Sequence, residues 1–213
     1  RQTLEPVWAV YGDEPLLVLE AADAIRARAR ALGFEERLVF VAEANFSWER
    51  LSQEADSLSL FAARRLLELR LPQGKPGTEG SSWLAERAKA PLPETILLIT
   101  LGALDWQARK SSWFAALEQH AVVVEANTPP REQLPQWWRE RLARQEQSAS
   151  PELLHLLAAR TEGNLLAARQ ELEKLALLFP EGPLPEAEVR AVVFDLARYD
   201  PEALRQAVLE GDA

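Results

Sequence analysis

The sequence predicts an α/β domain, in which helices flank a parallel sheet, followed by a small all-helical domain. Five short runs of almost continuous apolar character recur in the first 126 residues, as expected of strands that are covered on both faces. Helical patterns separate these runs, and no further strand pattern follows Asn127. Alternation of strands and helices implies right-handed crossovers and therefore parallel strands.

The predicted strands are VWAVYG at 7–12, RLVFVA at 37–42, RLLELRL at 65–71, TILLITLG at 95–102 and AVVVEA at 121–126. Apolar residues at steps of three or four between Leu16 and Leu32, and again around Trp113, predict helices. The Gly-rich stretch 71–82 is expected to be a mobile surface loop rather than a domain boundary, because the next strand is needed to complete the sheet.

Four helical patterns follow the last strand. They are TPPREQLPQWWRERLARQ, SPELLHLLAAR, GNLLAARQELEKLALLF and LPEAEVRAVVFDLA. Ser150 followed by Pro151 is typical of a helix start, with Ser as the N-cap and Pro at the first helical position. The stretch FPEGPLPE at 179–186 is expected to form a loop between the last two helices.

The domain boundaries follow from these patterns. We expect the α/β domain to span 1–128, with a hinge near Thr128, and the helical domain to span 129–197. A further helical pattern begins at Asp200 and stops with the chain, so 198–213 is expected to begin a third domain. Because the chain starts at Arg1, contains no Met and stops at LEGDA, we expect it to be a fragment.

The composition is typical of a soluble protein inside the cell. The 213 residues are 47% hydrophobic and 27% charged, and no apolar run approaches the roughly 20 residues that a membrane span needs. Without Cys there is neither a disulfide nor a thiolate zinc site, which suits the cytosol. The net charge of −9 repels a phosphate backbone, so we do not expect this chain alone to bind DNA tightly.

The first strand-to-helix turn, YGDEPLLVLEA, is where a phosphate-binding loop would lie. Gly12 is present, but Asp13 and Glu14 place two negative charges where phosphates would bind, and the turn has neither a second Gly nor a Lys. The third and fourth strands end in ELRLP and ITLGAL, without the paired acids that hold Mg²⁺. We therefore expect neither ATP hydrolysis nor any other catalytic activity from this chain.

The other candidate chemical residues favour structural roles. His120 and His155 have no acid or nucleophile at a recognisable spacing, so we predict that both are structural. Glu171 and Glu173 are expected on a solvated helix face, and the sequence shows no metal-ligand constellation.

Two interpretations of the helix PQWWRERLARQ stay open. Its tryptophans and arginines could stack on and clamp single-stranded nucleic acid. Alternatively, the tryptophans pack at the domain junction while the arginines face water or pair with glutamates, and the acidic total favours this interpretation. The residues concerned are Trp137, Trp138, Arg139, Arg141 and Arg144, with Glu140 and Glu146 as the glutamates.

The stretch DSLSLF, 56–61, carries more large apolar side chains than one narrow core takes. On a helix, Leu58 and Phe61 share a face while Leu60 points elsewhere. Either the protein wraps this segment on two sides, or an apolar side chain is kept for a partner. The residues alone leave both alternatives open.

Four stretches resemble the delta subunit family of the bacterial DNA polymerase III clamp loader. They are YGDEPLLVLEAADAIR, LSQEADSLSLFAARRLLEL, LPQWWRERL and EGNLLAARQELEKLALLFPEG. They occur in family order and span nearly the whole chain. The resemblance implies an AAA+ fold, with a RecA-like α/β domain and a helical lid, in a subunit that has lost nucleotide binding. It also implies that 198–213 begins a truncated C-terminal collar domain.

AAA+ lids usually carry, at a helix start, an Arg three residues after a Gly, where it senses the γ-phosphate. In this chain GNLL places Leu166 at that position. The resemblance therefore implies a degenerate nucleotide site made of Gly12, Asp13, Glu14 and Leu166.

The resemblance further implies that Leu58, Ser59, Leu60 and Phe61 bind the beta sliding clamp, one interface of which the subunit opens. The family's clamp-binding pattern starts with Gln, whereas this chain has Asp56. Burying Leu60 and Phe61 together would contribute ~3 to 6 kcal/mol before the cost of ordering.

The partners that the resemblance implies are the beta clamp and the other loader subunits, gamma/tau and delta prime, with DNA contacted only within the full complex. ATP would act on those other subunits, and neither a cofactor nor a membrane is expected. Two alternatives stay open: an AAA+ or RecA-type NTPase with a non-standard site, and a helical adaptor with no connection to the clamp.

Overall fold

The computed structural model describes residues 3–56 and 64–195. They form two compact units, one ending at Thr128 and the other beginning at Pro129. Within the described ranges, no helix has the length and apolar character to cross a membrane.

The first unit is an α/β sandwich. Its elements are β1 (Val7–Tyr11), α1 (Pro15–Ala31), β2 (Glu36–Val41), α2 (Trp48–Asp56), β3 (Arg65–Leu71), α3 (Gly77–Lys89), β4 (Thr95–Leu101), α4 (Trp106–Arg109), α5 (Ser112–His120) and β5 (Val122–Glu125). All five strands lie within one residue of their predicted bounds. They pair in parallel in the order β2-β3-β4-β1-β5, so the predicted parallel sheet is confirmed.

The two faces of the sheet bury different helices. On one face, alternate residues such as Leu67, Leu69 and Ile99 pack against α2, α3 and α5. On the other face, Leu66 and Leu98 pack against the apolar side of α1. Because β3 and β4 are covered on both sides, their sequences are apolar almost throughout.

The prediction that 71–82 is a mobile loop is wrong for its second half, because α3 begins at Gly77. Its small residues serve packing instead. A Cβ on Gly80 would lie 2.2 Å from Cζ2 of Trp48, so only Gly allows the indole ring to come so near. The Ser81 and Ser82 hydroxyls donate to the carbonyl oxygens of Gly77 and Thr78, at 2.6 and 3.2 Å, inside the helix.

The second unit is mainly helical. Its elements are a short 3-10 helix (Arg131–Gln133), α6 (Leu134–Arg144), β6 (Gln147–Ser148), α7 (Pro151–Thr161), α8 (Leu165–Leu178), β7 (Gly182–Pro183) and α9 (Glu186–Asp195). The predicted cap is confirmed, since Ser150 Oγ accepts a hydrogen bond from the Leu153 amide at 3.2 Å. The two-residue strands β6 and β7 pair in parallel, so a short strand interrupts the predicted 179–186 loop.

Candidate functional site

The turn between β1 and α1 lies against the chain that leaves β5. The Ala126 amide donates to the Tyr11 carbonyl at 2.7 Å, and the Glu14 amide donates to the Ala126 carbonyl at 3.2 Å. A Cβ on Gly12 would lie 1.9 Å from the carbonyl oxygen of Ala126. Gly12 therefore permits a close approach of two backbone segments, and the backbone of Ala126 closes the turn.

The two carboxylates of the turn are already bound by the protein. Glu14 is buried, and its Oε1 accepts a hydrogen bond from the Leu16 amide at 3.1 Å, which caps the start of α1. Asp13 Oδ1 accepts from the amide and the hydroxyl of Thr128, at 2.7 and 3.2 Å. An anion approaching this helix start would meet two negative charges instead of free backbone N–H groups.

The structure thus brings three of the four residues of the predicted degenerate site together, namely Gly12, Asp13 and Glu14. Leu166 lies in the first turn of α8 in the other unit and is 55% exposed. That these four residues stand in place of a nucleotide site stays a prediction.

A cluster that sequence reasoning missed lies at the same edge of the sheet. Arg109 Nη2 donates to the Tyr11 hydroxyl at 2.8 Å and pairs with Glu125 Oε1 at 3.0 Å, while its guanidinium carbon lies 5.4 Å from the centre of the Tyr11 ring. These residues are far apart in sequence and of ordinary types. The one available signal was that carboxyl ends of parallel strands meet at one edge of a sheet.

The electrostatics of this cluster suit a stable ionic network. Burial, followed by the hydrogen bond with Glu125, raises the pKa of the Tyr11 hydroxyl. The Asn127 amide, which donates to Glu125 at 2.9 Å, holds the pKa of that carboxyl below its ordinary value, and Tyr11 and Arg109 add to the effect. A neutral phenol beside an ionised carboxylate and a guanidinium stabilises the sheet edge without providing a base or a nucleophile.

The predicted clamp-binding residues Leu58, Ser59, Leu60 and Phe61 lie outside the described residues. The structure does describe the two flanks of this segment: α2 ends at Asp56 and β3 begins at Arg65.

Arg65 ties these two flanks together. Its Nη1 donates to the Glu54 carbonyl at 3.1 Å, and its Nη2 donates to the Ala55 carbonyl. Its Nε donates to Thr95 Oγ1 at 3.2 Å, and its amide to the Glu94 carbonyl at 3.1 Å. Because the side chain is almost fully buried, the segment 57–63 leaves one fixed point and returns to another.

The basic-aromatic helix α6 has one of its two tryptophans in the core. Trp138 is fully buried, and its Nε1 donates to Thr161 Oγ1 at 3.1 Å. The Trp137 ring carries the Arg141 guanidinium 4.0 Å from its centre, and Arg139 donates to the Gln136 side chain at 2.7 Å rather than to a glutamate. Trp138 therefore has no face to offer to a nucleic-acid base. Packing of Trp137 at a domain junction stays a prediction.

The remaining candidate residues are two histidines and two glutamates. His120 and His155 are both exposed, and the prediction that they have structural roles stays a prediction. Glu173 is on a solvated face as predicted and pairs with Arg169, whereas Glu171 is largely covered and pairs with Lys174 at 2.7 Å. Across 3–56 and 64–195, no cluster of His, Asp and Glu is suited to a metal ion.

Comparison with known sequences gives consistent matches. The family model described as DNA polymerase III, delta subunit, matches residues 8–127. DNA polymerase III subunit delta of Escherichia coli K12 is 33% identical over 211 residues, and that of Haemophilus influenzae is 29% identical over 215. The matches cover 99% and 100% of this chain but 62% of each relative, so the chain spans about three fifths of their length.

Comparison with solved structures shows the fold. The Bacillus subtilis DNA clamp loader delta protein (YqeN) matches with a TM-score of 0.67 and 21% identity, over 89% of this chain and 58% of that one. The P216G mutant of Thermotoga maritima RuvB matches with a TM-score of 0.51 and 10% identity, over 92% and 64%. The fold shared with these structures is a parallel α/β sandwich followed by a helical region.

Proposed function

Because the chain belongs to the DNA polymerase III delta subunit family, we propose that it binds and opens the beta sliding clamp during DNA replication without hydrolysing ATP itself. The observation that carries the proposal is the frame that Arg65 builds around 57–63, since this segment contains the residues expected to reach the clamp. The closed β1–α1 turn is the second support, and it concerns the absence of ATP hydrolysis.

The clamp-binding element is proposed to be Leu58, Ser59, Leu60 and Phe61. A short peptide that binds a pocket loses conformational freedom, and fixing its ends before binding reduces that cost. Arg65 links the end of α2 to the start of β3 through its hydrogen bonds, so the described elements on either side of 57–63 are fixed to each other. Leu60 and Phe61 are the proposed plug for an apolar pocket on the clamp.

The β1–α1 turn supports a subunit without ATPase activity. A phosphate-binding loop needs unoccupied backbone N–H groups and a cation, but the start of α1 is capped by the Glu14 carboxylate and carries no Lys. The backbone of Ala126 packs directly against Gly12, where an added Cβ would lie 1.9 Å from the Ala126 carbonyl oxygen. We propose that ATP acts on other subunits of the loader and changes the exposure of the clamp-binding element.

Clamp opening then needs no chemistry from this chain. If its surface fits the open clamp better than the closed ring, binding alone shifts the equilibrium by the difference between the two affinities. The proposed partners are the beta clamp and the gamma/tau and delta prime subunits, with DNA contacted only inside the full complex in the cytoplasm. The acidic net charge of −9 accords with weak DNA binding by the isolated chain.

Clamp binding is tested with the full-length protein and its cognate clamp. Replacing Leu60 and Phe61 together by Ala should weaken the affinity at least a hundredfold, because two buried apolar side chains contribute ~3 to 6 kcal/mol. The matched control is Trp106→Ala, which removes a 69% exposed aromatic side chain from another surface of the same unit and should leave the affinity unchanged. Unchanged affinity in the double variant would refute the proposal that Leu60 and Phe61 bind a pocket on the clamp.

Nucleotide binding is tested by titrating a fluorescent ATP analogue against the same protein. We expect no saturable signal at millimolar nucleotide, while a loader subunit with an intact phosphate-binding loop serves as the positive control. Saturable binding by the wild-type protein would support the NTPase alternative instead.

A further inference from the structure

The two faces of the sheet are unequally covered by helices in the described part of the chain. α2, α3 and α5 pack on one face, whereas α1 packs on the other and covers mainly β1 and β4. On β2, the edge strand, Val39 and Val41 remain 43% and 42% exposed. Parallel sheets normally have helices over both faces, so among the described residues the β2 side of the second face lacks the cover that a parallel sheet usually has.

Apolar and basic side chains surround this uncovered part of the face, and all of them except Arg26 are about two-fifths exposed. We call it the basic sheet face and define it as Leu19, Arg26, Arg37, Val39, Val41 and Arg70. Val39 pairs with Glu68 and Val41 with Arg70 across the ladder, so these four residues share one side of the sheet. Leu19, on α1, is 44% exposed. It is seven residues, or about two turns, from Arg26 and shares that residue's helix face.

Glu68 lies at the centre of the face and is completely buried. Its two oxygens accept hydrogen bonds from Arg26 at 3.1 and 2.5 Å, from Arg37 at 3.0 and 2.6 Å, and from Arg70 at 2.8 Å. Asp23, at 2.6 Å from Arg26, is the other carboxylate in this network. Three guanidinium groups are thus held in place by two carboxylates, which leaves one positive charge in excess.

The excess charge is accessible to a partner. The side chains of Arg37 and Arg70 are 41% and 42% exposed, and each guanidinium has five N–H donors, of which the hydrogen bonds to Glu68 use only a part. Their positions are fixed by a buried carboxylate, so a second carboxylate would meet arginines that have already lost much of their conformational freedom. Such a surface is unusual in a chain of net charge −9.

From this arrangement we propose that the basic sheet face binds an acidic amphipathic helix of another subunit in the same assembly. The apolar side of that helix would cover Val39, Val41 and Leu19, and its carboxylates would pair with Arg37 and Arg70. The helix would cover the β2 side of this face, which α1 does not cover. The partner's membership of the assembly rests on the proposed function, but the surface is separate in sequence from the clamp-binding element.

A protein helix fits the face better than DNA does. The three exposed aliphatic side chains would gain from burial against apolar groups, which a phosphate backbone does not offer. The acidic chain as a whole also repels a polyanion, whereas one helix with a few carboxylates meets only the local excess of positive charge.

The test compares Val39→Asp with Val39→Lys in the full-length protein. Both variants remove the same exposed valine, but Asp can pair with Arg37 or Arg70 whereas Lys is repelled by them, so Tm is measured for each and association is compared only between folded proteins. Association with reconstituted gamma/tau and delta prime subunits is measured without DNA. We expect Val39→Asp to weaken association at least tenfold and Val39→Lys less than threefold, with the difference between them reduced at high salt because the excess charge is screened.

The control is Trp106→Asp, which adds the same charge at another exposed apolar position and should have no effect. Equal effects of the two Val39 variants, or an effect that appears only with DNA present, would overturn the inference. Clamp binding is measured in parallel. If the wild-type protein fails to bind the clamp and the subunits, the proposed function fails; if it binds both and the Val39 variants match it, only this inference fails.

A photocrosslinking amino acid at position 39 identifies the occupant directly. The expected product joins this chain to a Glu- or Asp-bearing helix of a partner subunit. Crosslinks to DNA, or to a second copy of this chain, would overturn the proposal.

Discussion

The guanidinium of Arg65 donates a hydrogen bond to the carbonyl oxygen of Glu54, eleven residues earlier, at 3.1 Å. The last carbonyl groups of a helix have no partner within the helix. Arg65, the first residue of β3, satisfies two of them at the end of α2, those of Glu54 and Ala55, with a side chain that is only 8% exposed. One side chain therefore caps a helix and fixes both ends of the segment 57–63.

Replacing Arg65 by Met should remove this link while keeping most of the buried apolar volume. We expect the free energy of unfolding to fall by about 2 to 3 kcal/mol, because hydrogen bonds from a charged donor are lost and buried carbonyl groups are left without a donor. Clamp affinity should fall about tenfold, since the binding element would then start from unfixed ends. Urea unfolding and a clamp titration measure the two effects.

Arg64→Met is the matched control for that change. Arg64 is half exposed and donates to Glu94 at 2.9 Å and to the Leu32 carbonyl at 3.1 Å. Exposed ion pairs contribute little, so we expect a loss below about 1 kcal/mol and unchanged clamp binding. Equal effects of the two substitutions would show that Arg65 does not act as a link.

The Glu68 carboxylate should make stability depend on pH in the acid range. Burial alone raises its pKa, but the hydrogen bonds from Arg26, Arg37 and Arg70 outweigh burial and lower the pKa from 4.5 to about 2. Because the folded pKa is the lower one, the stabilisation is fully present above pH 4.5 and is lost as the pH falls towards 2. A shift of this size corresponds to about 3 kcal/mol.

Glu68→Gln is expected to destabilise the protein at pH 7 by about 3 to 5 kcal/mol, because three guanidinium groups lose their shared carboxylate. Its free energy of unfolding should also change less than that of the wild type between pH 5 and pH 2.5. Urea unfolding at several pH values measures both effects. The control is Glu94→Gln, which removes the carboxylate of an exposed ion pair. If the free energy of unfolding of Glu68→Gln depended on acid pH as strongly as that of the wild type, Glu68 would not be the group responsible.

The sheet could be predicted from the sequence because its central strands β3, β4 and β1 are buried on both faces, which gives almost continuous apolar runs such as that at Leu97–Ile99. The start of α3 could not. Gly77 and Gly80 suggest a loop in isolation, and the reason for Gly80 is the ring of Trp48, which precedes it by 32 residues. Close packing between distant segments leaves no local pattern in the sequence.

In the candidate sites, too, local features could be predicted from the sequence and contacts between distant residues could not. Gly12, Asp13 and Glu14 could be selected from sequence because a phosphate-binding loop has fixed spacing. The contact of Ala126 with this turn could not, since it joins the first and last strands of the unit. Likewise Glu68 is visible as a charge in an apolar strand, but its partners Arg26 and Arg37 lie 42 and 31 residues away in the chain.

Gly12→Ala should destabilise the α/β unit through a backbone clash. The added Cβ would lie 1.9 Å from the Ala126 carbonyl oxygen, so the turn and the segment after β5 must move apart. We expect a loss of about 2 kcal/mol or more in the free energy of unfolding, measured by urea unfolding. Asp13→Ala, which removes only the exposed hydrogen bonds to Thr128, is the control and should cost about 1 kcal/mol or less.

The Trp138–Thr161 hydrogen bond should contribute a measurable coupling energy to the helical unit. Trp138 Nε1 donates to Thr161 Oγ1 at 3.1 Å, and the Thr161 hydroxyl in turn donates to the Leu157 carbonyl at 2.8 Å, all in the buried interior. In a double-mutant cycle with Trp138→Phe and Thr161→Val, we expect each single change to cost more than 1 kcal/mol and the coupling to be about 1 kcal/mol. Thr161→Val leaves the buried Trp138 Nε1 without its acceptor, whereas in Trp138→Phe the Thr161 hydroxyl still donates to the Leu157 carbonyl. Once Trp138 is Phe there is no indole N–H to leave unpaired, so Thr161→Val should cost less in that background than it does alone. Urea unfolding monitored by circular dichroism measures all four proteins, and additive losses would contradict a direct hydrogen bond between the two side chains.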